Sequence, residues 1–263
     1  MRPHIVSVTC LLAWMSASPA WAGGFAAVVS PPRFELAAKS GATLRQVIEV
    51  TNRDVTPARY RIHTADFVLA DDYTLTFRDE LVWGSCRPWV AIERPLITLP
   101  AGATIRYRFE VQVPPDTAAR ECRFAIMIEG DEPSMAHAGA AQLPIVGRIG
   151  VIVYLRVGDV APHIEVVGPL VVTFNGQRVP ALRVRNEGTA HTRTSGFLTG
   201  KDATGKTYDF TPSDLPILPG DVRDVVFTPS VGNTAVATLA FPVSVRGTLE
   251  WDGQKVDLNE TYR

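Results

Sequence analysis

The stretch Ala141 to Arg156 reads A-Q-L-P-I-V-G-R-I-G-V-I-V-Y-L-R and is the longest β-prone run beyond the apolar N-terminus. Val and Ile dominate it, and β-branched side chains suit a pleated, half-buried surface. Side chains alternate across a strand. Ala141, Leu143, Ile145, Gly147 and Ile149 therefore share one face, and Arg148, Gly150, Ile152 and Tyr154 the other. At about 3.3 Å per residue the run would extend roughly 50 Å, long for one strand of a small domain. Part of it is expected to project or to lie at a sheet edge. Pro144 points to an edge, since it brings no N–H to a ladder. An apolar edge invites pairing with another chain, a liability unless that pairing is its use.

Working outward, the chain before this run reads as short strands and turns with almost no helical periodicity. Strands are predicted at Phe34 to Leu36, Thr43 to Thr51, Ala58 to Phe67, Leu75 to Phe77, Leu81 to Trp83 and Cys122 to Glu129; Trp89 to Ile92 precedes an extended segment, Pro95 to Gly102, that closes in a turn, and Gly130 to Ala140 reads as a polar loop. Ile105 to Val113 alternates: Ile105, Tyr107, Phe109, Val111 and Val113 on one face, Arg106, Arg108, Glu110 and Gln112 on the other. That is the pattern of a half-buried strand.

After Val157 to Pro162, a short linker, a second set begins: Ile164 to Val167, Leu170 to Phe174, Val179 to Val184, Arg193 to Thr199, Val222 to Phe227, Val236 to Leu239 and Val243 to Trp251. Asn175-Gly176 and Asp252-Gly253 are tight-hairpin signals, and the second makes Lys255 to Thr261 the arm antiparallel to Val243 to Trp251. A faint repeat links the halves. Val50-Thr51-Asn52 precedes Leu99-Pro100-Ala101-Gly102, as Val184-Arg185-Asn186 precedes Leu218-Pro219-Gly220. The expected fold is all-β: two tandem immunoglobulin-like β-sandwich domains, residues 23–157 and 158–263.

The chain has 263 residues, 46% of them hydrophobic, enough for such cores, and a formal net charge of -1, which argues against nucleic acid or an anionic membrane surface as partner. Arg2 and His4 precede the apolar run Ile5 to Met15, then Ser18-Pro19 and Ala20-Trp21-Ala22. This reads as a signal peptide, residues 1–22, cleaved after Ala22. No later apolar run approaches the ~20 residues of a membrane span. Cys86 and Cys122 then remain. In an oxidising compartment they favour a disulfide, which would contribute on the order of 3–4 kcal/mol. Free thiols or half a metal site are the alternatives, but no Cys-x-x-Cys or His spacing accompanies them.

Little reads as catalytic. His63, His137, His163 and His191 lie outside any H-E-x-x-H motif, and no nucleophile elbow, P-loop or dinucleotide fingerprint occurs. His63 reads as a surface strand residue, His137 as a loop residue, Asp71-Asp72 as a turn. Trp83, Trp89 and Trp251 read as core or edge packing. No cofactor, no metal and no enzymatic activity are expected.

Five motifs in order over residues 28 to 157 resemble the periplasmic pilus-assembly chaperones, the PapD-like family. They are Ser30-Pro31-Pro32-Arg33; Val50-Thr51-Asn52 with Thr56-Pro57; Arg94 to Gly102; Val113-Pro114-Pro115-Asp116; and Gln142-Leu143-Pro144-Ile145 leading into Arg148-Ile149-Gly150-Val151. The resemblance implies a periplasmic protein that caps a pilin-type subunit by β-strand addition and meets an outer-membrane usher. It implies a cis Thr56–Pro57 bond. Leu143, Ile145 and Ile149 would lie on the donor strand, with Ala141 a poor further donor. Arg33 would anchor the subunit's C-terminal carboxylate. The family's second anchoring base, a lysine, falls on Gly150, and Arg148 is the candidate substitute. The Cys86–Cys122 bridge is no general family feature. The other reading is an envelope structural or adhesion module of the same fold.

Overall fold

The computed structural model describes residues 25–138, 141–232, 234–235 and 238–263, with the backbone alone at 134–138, 141–143 and 235. The signal peptide expected at residues 1–22 lies outside the described residues.

The first half forms β1 (Ala27–Ser30), β2 (Arg33–Ala38), β3 (Thr43–Asn52), β4 (Ala58–Leu69), β5 (Leu75–Arg78), β6 (Val90–Ile92), β7 (Leu96–Leu99), β8 (Thr104–Gln112), β9 (Arg120–Gly130), β10 (Ser134–Ala138), β11 (Ala141–Ile145) and β12 (Arg148–Val157). One sheet has the order β1-β3-β8-β6; the facing sheet runs β2-β12-β9-β4-β5, with β7 also on β4. The N-terminal strand is shared between the sheets. β1 pairs with β3, the chain turns at the cis Ser30–Pro31 bond and Pro32, and β2 then runs parallel to β12. Thr56–Pro57, expected cis, is not among the cis bonds of the described residues, which are Ser30–Pro31 and Phe241–Pro242.

The alternation read in Ile105 to Val113 is realised. Tyr107, Phe109, Val111 and Val113 are buried with Ile48 and Val50 against Ile62, Phe124, Ile126, Ile128, Val151, Val153 and Leu155 of the facing sheet. Aligned sandwiches bury alternate residues in this way. Cys86 and Cys122 are joined as a disulfide, their Cα atoms 6.1 Å apart. It ties the segment entering a short 3-10 turn (Arg87–Trp89) to β9. Leu81 to Trp83, expected as a strand, is loop: Val82 gives its N–H to the Asp66 carboxylate, and its carbonyl accepts from the N–H of Ser85, so neither is available to a ladder. The loop expected over Gly130 to Ala140 contains β10, paired with β11.

The second half forms β13 (Ile164–Phe174), β14 (Gln177–Asn186), β15 (Ser195–Lys201), β16 (Thr207–Pro212), β17 (Val222–Val231), β18 (Thr234–Ala235), β19 (Val243–Trp251) and β20 (Gln254–Tyr262). They follow the order β13-β14-β17-β16-β15-β19-β20, with β18 on β17. The long β17 pairs with β14 through its first part and with β16 through its second, so one ladder folds over its own core of Leu198, Phe210, Val225, Phe227, Val245, Trp251 and Tyr262. β16 carries no sequence signal noted above, and β13 is one bulged strand where two were expected. Part of the strand expected at Val236 to Leu239 lies outside the described residues. Both hairpin signals hold: Asn175, Gly176, Asp252 and Gly253 all have positive φ, as a two-residue turn of the I′ type needs.

The faint repeat has a structural cause. Asn52 is fully buried; its amide nitrogen donates to the carbonyls of Thr56, Leu99 and Pro100, and its oxygen accepts from Asp54 N and Tyr60 OH. Asn186, equally buried, donates to Ala190 O and Ile217 O and accepts from His163 N and Gly188 N. In each half one asparagine binds a strand end to the turn near the Leu-Pro loop.

Candidate functional site

The run Ala141 to Arg156 is not one 50 Å strand. It breaks at Val146–Gly147 into β11 and β12. The Gly147 carbonyl accepts from Gly130 N (3.0 Å), and the Phe25 ring, edge-on to Tyr60 at 5.9 Å, occupies the space a side chain at 147 would need. β11 forms a two-stranded ribbon with β10, Ser134 opposite Ile145 and Ala138 opposite Ala141.

β12 pairs with β9 along its whole length, from Arg148↔Glu129 to Val157↔Arg120. On its other side β2 begins only at Ile152↔Arg33. Arg148 to Val151 therefore extend past the start of β2. Val151, Val153 and Leu155 face the sandwich core; Ile152 and Tyr154 face a second cluster with Ala65, Phe67, Ala125, Met127 and Leu218. Leu218 belongs to the second half, so the lower part of β12 is buried on both faces.

Each expected binding residue now has a place. Ile145 is exposed and Ile149 half-buried, while the side chain of Leu143 lies outside the described residues. Arg148 is exposed, 3.9 Å from Glu129, with its guanidinium 5.9 Å over the Phe77 ring. Arg33 lies lower, bound to Glu35 at 2.9 Å. Register sets Arg33 beside Ile152, four residues along from Arg148, or roughly 13 Å at strand spacing. The two arginines thus stand in separate ion pairs. Gly150 is covered: a Cβ there would meet the Phe77 ring, with Cε1 at 2.8 Å and Met127 Sδ at 3.2 Å. Gly150→Ala is accordingly expected to displace Phe77 and to cost about 1–3 kcal/mol by overpacking. Chemical denaturation checks this, and Phe77→Ala in the same chain should recover part of the loss. Equal stability of Gly150→Ala and wild type would show that β5 yields freely.

Below the edge lies a polar cleft of about 330 Å³ between the two halves, lined by Arg33, Glu35, Arg156, His191, Arg193 and Asp252. Sequence reading assigned no role to five of these, nor to Glu121. The Glu35 carboxylate accepts from Arg33 and lies 2.9 Å from His191 Nε2 and 3.7 Å from Arg193. Glu121, almost wholly buried, lies 2.7 Å from His191 Nδ1 and accepts from its backbone N–H; Arg156 joins it at 3.4 Å and reaches Asp252 at 3.2 Å. The His191 ring stacks on Tyr154 at 3.7 Å. Burial would raise the Glu35 pKa, but His191, Arg33 and Arg193 outweigh it and hold the carboxyl below its ordinary value. A second tie lies at the β4–β5 turn, where the buried Arg223 of β17 donates to Asp71 O (2.6 Å) and Ala70 O (3.3 Å) and stacks 4.8 Å from Tyr73. No short spacing announces these contacts, since Glu121 and His191 are 70 residues apart. The one local sign was a charged residue, Arg156, ending an apolar strand.

Among the described residues, no three or more His, Cys, Asp or Glu gather where they could hold a metal ion, and no helix is long and apolar enough to cross a membrane.

No family model matches the chain, and neither does any curated protein. Among solved structures it is similar to the class 5 fimbriae chaperone CfaA (13% identity, 90% of this chain and 99% of that one, TM-score 0.47). It is also similar to the E. coli chaperone DraB (14%, 91% and 97%, 0.47). A third is a Salmonella enterica structure of the SafA pilin in complex with the SafB chaperone (14%, 91% and 97%, 0.45).

Proposed function

We propose that this chain is a non-enzymatic, chaperone-like protein of the periplasm that binds and caps an exported pilin-type subunit by β-strand addition. The observation that carries this reading is the edge of β12: β2 starts only at Ile152, so Arg148 to Val151 run beyond it. An added strand gains affinity from backbone hydrogen bonds and specificity from alternate side chains. Here Leu143, Ile145 and Ile149 would fill the subunit's pockets. Arg33 in the cleft and Arg148 at the edge would offer positive charge to a subunit's carboxylate. An outer-membrane usher is the partner to which such a complex would pass its subunit.

A specific observation favours the second reading, an envelope structural or adhesion module of the same fold. Arg33 is already paired with Glu35, and Phe77 covers Gly150. Co-expression with a pilin-type subunit encoded beside this chain separates the two. Under the chaperone reading the complex co-purifies, and Leu143→Glu with Ile145→Glu abolishes it while the chain stays folded. Unchanged co-purification of that double variant would overturn strand addition.

A further inference from the structure

We propose that His191 is a proton-dependent clamp between the two sandwiches, holding the cleft closed while both ring nitrogens carry hydrogen and loosening it when one is lost. The geometry is specific. His191 sits in the segment joining β14 to β15 and is only 2% exposed. Its Nδ1 faces Glu121 of β9 at 2.7 Å and its Nε2 faces Glu35 of β2 at 2.9 Å. A neutral imidazole has one donor and one acceptor nitrogen, and only the imidazolium can donate to two carboxylates at once. Deprotonation would set a lone pair against a carboxylate with the ring fixed on Tyr154.

The charged surroundings come from every packed element. β2 supplies Arg33 and Glu35; β9 supplies Glu121, with Arg123 acting on Tyr154; β12 supplies Tyr154 and Arg156. Arg193 follows on the same segment as His191, and Asp252, from the β19–β20 turn, reaches the group through Arg156. Burial alone would lower the His191 pKa, but its hydrogen bonds to Glu121 and Glu35 and their charges outweigh burial and hold it above the ordinary value. A raised histidine pKa means stabilisation fully present below about pH 6.5, the ordinary imidazole value, and lost as pH climbs through the folded value. Burial pushes Tyr154 upward, so it keeps its proton through this range. The clamp loosens rather than releases: the His191 backbone N–H still binds Glu121, and Arg223 still donates to the Asp71 and Ala70 carbonyls, contacts in which His191 takes no part.

The test needs no partner, so it is independent of the strand-addition reading. Imidazole NMR and small-angle X-ray scattering would follow the full two-domain chain from about pH 5.5 to 9. His191 is expected to titrate above 6.5, with the maximum particle dimension growing along the same curve. His191→Gln, neutral at every pH, is expected to show one constant dimension equal to that of wild type at high pH. A His191 midpoint at or below 6.5, or a wild-type dimension that stays constant through its titration, would overturn the clamp. Should His191→Gln fail to fold, the wild-type titration alone decides.

Discussion

Asn186→Leu is expected to lower the stability of the second sandwich by about 3 kcal/mol, a fall of roughly 10–20 °C in its melting temperature. Leucine keeps the branching and the number of side-chain heavy atoms of asparagine, but its methyl groups are bulkier, so some overpacking at this fully buried site adds to the polar loss. Four backbone groups lose a hydrogen bond together, the carbonyls of Ala190 and Ile217 and the N–H groups of His163 and Gly188; of these, the Ile217 carbonyl keeps a second donor, Thr192 N. Each buried orphan costs about 1–3 kcal/mol, and partial solvation of the two N–H groups keeps the sum near the stated figure. Thermal unfolding followed through the environment of the buried Trp251 is the measurement. Asn52→Leu should act alike on the first sandwich, where Tyr60 OH is one of five groups released. A shift of only a few degrees in either variant would mean that the two asparagines are incidental.

Asp66→Ala is the second large effect, expected to cost the first sandwich about 3–5 kcal/mol. Asp66 is 1% exposed and accepts from Ser85 Oγ (2.8 Å), Val82 N (3.1 Å) and Arg87 Nη1 (3.4 Å). The Arg87 side chain is only 12% exposed, so without Asp66 its charge stays buried with backbone carbonyls as its main partners. The same network holds the loop that shows Trp83 wholly to solvent. Asp66→Ala combined with Arg87→Met removes the stranded charge and should cost less than the sum of the single changes. Denaturant unfolding of all four chains closes that cycle, and strict additivity would show that the two residues do not act as a pair.

What could be read in advance follows the range of the forces involved. Alternation in Ile105 to Val113 is local, because burial on one face selects every second residue. The Asn-Gly and Asp-Gly turns are local as well, since positive φ at successive residues restricts which side chains fit. The repeated Val-x-Asn element was visible, but its meaning was not: each asparagine binds loops 31 or 47 residues away. The cleft was hidden for the same reason. Glu35, Glu121, Arg156 and His191 each look like solvated strand charges until the two halves dock.

By itself, then, the sequence determined an all-β chain with two sandwich-like strand sets, its hairpin turns and the apolar character of Ala141 to Arg156, because these depend on side-chain shape and on neighbours within a few residues. Only the tertiary structure decided that this run breaks at Gly147, that β2 covers it only from Ile152, and that Phe77 sits over Gly150. Only it brought His191 between two carboxylates of the other half. Those outcomes rest on steric exclusion and charge pairing between segments far apart in sequence, which no local pattern encodes.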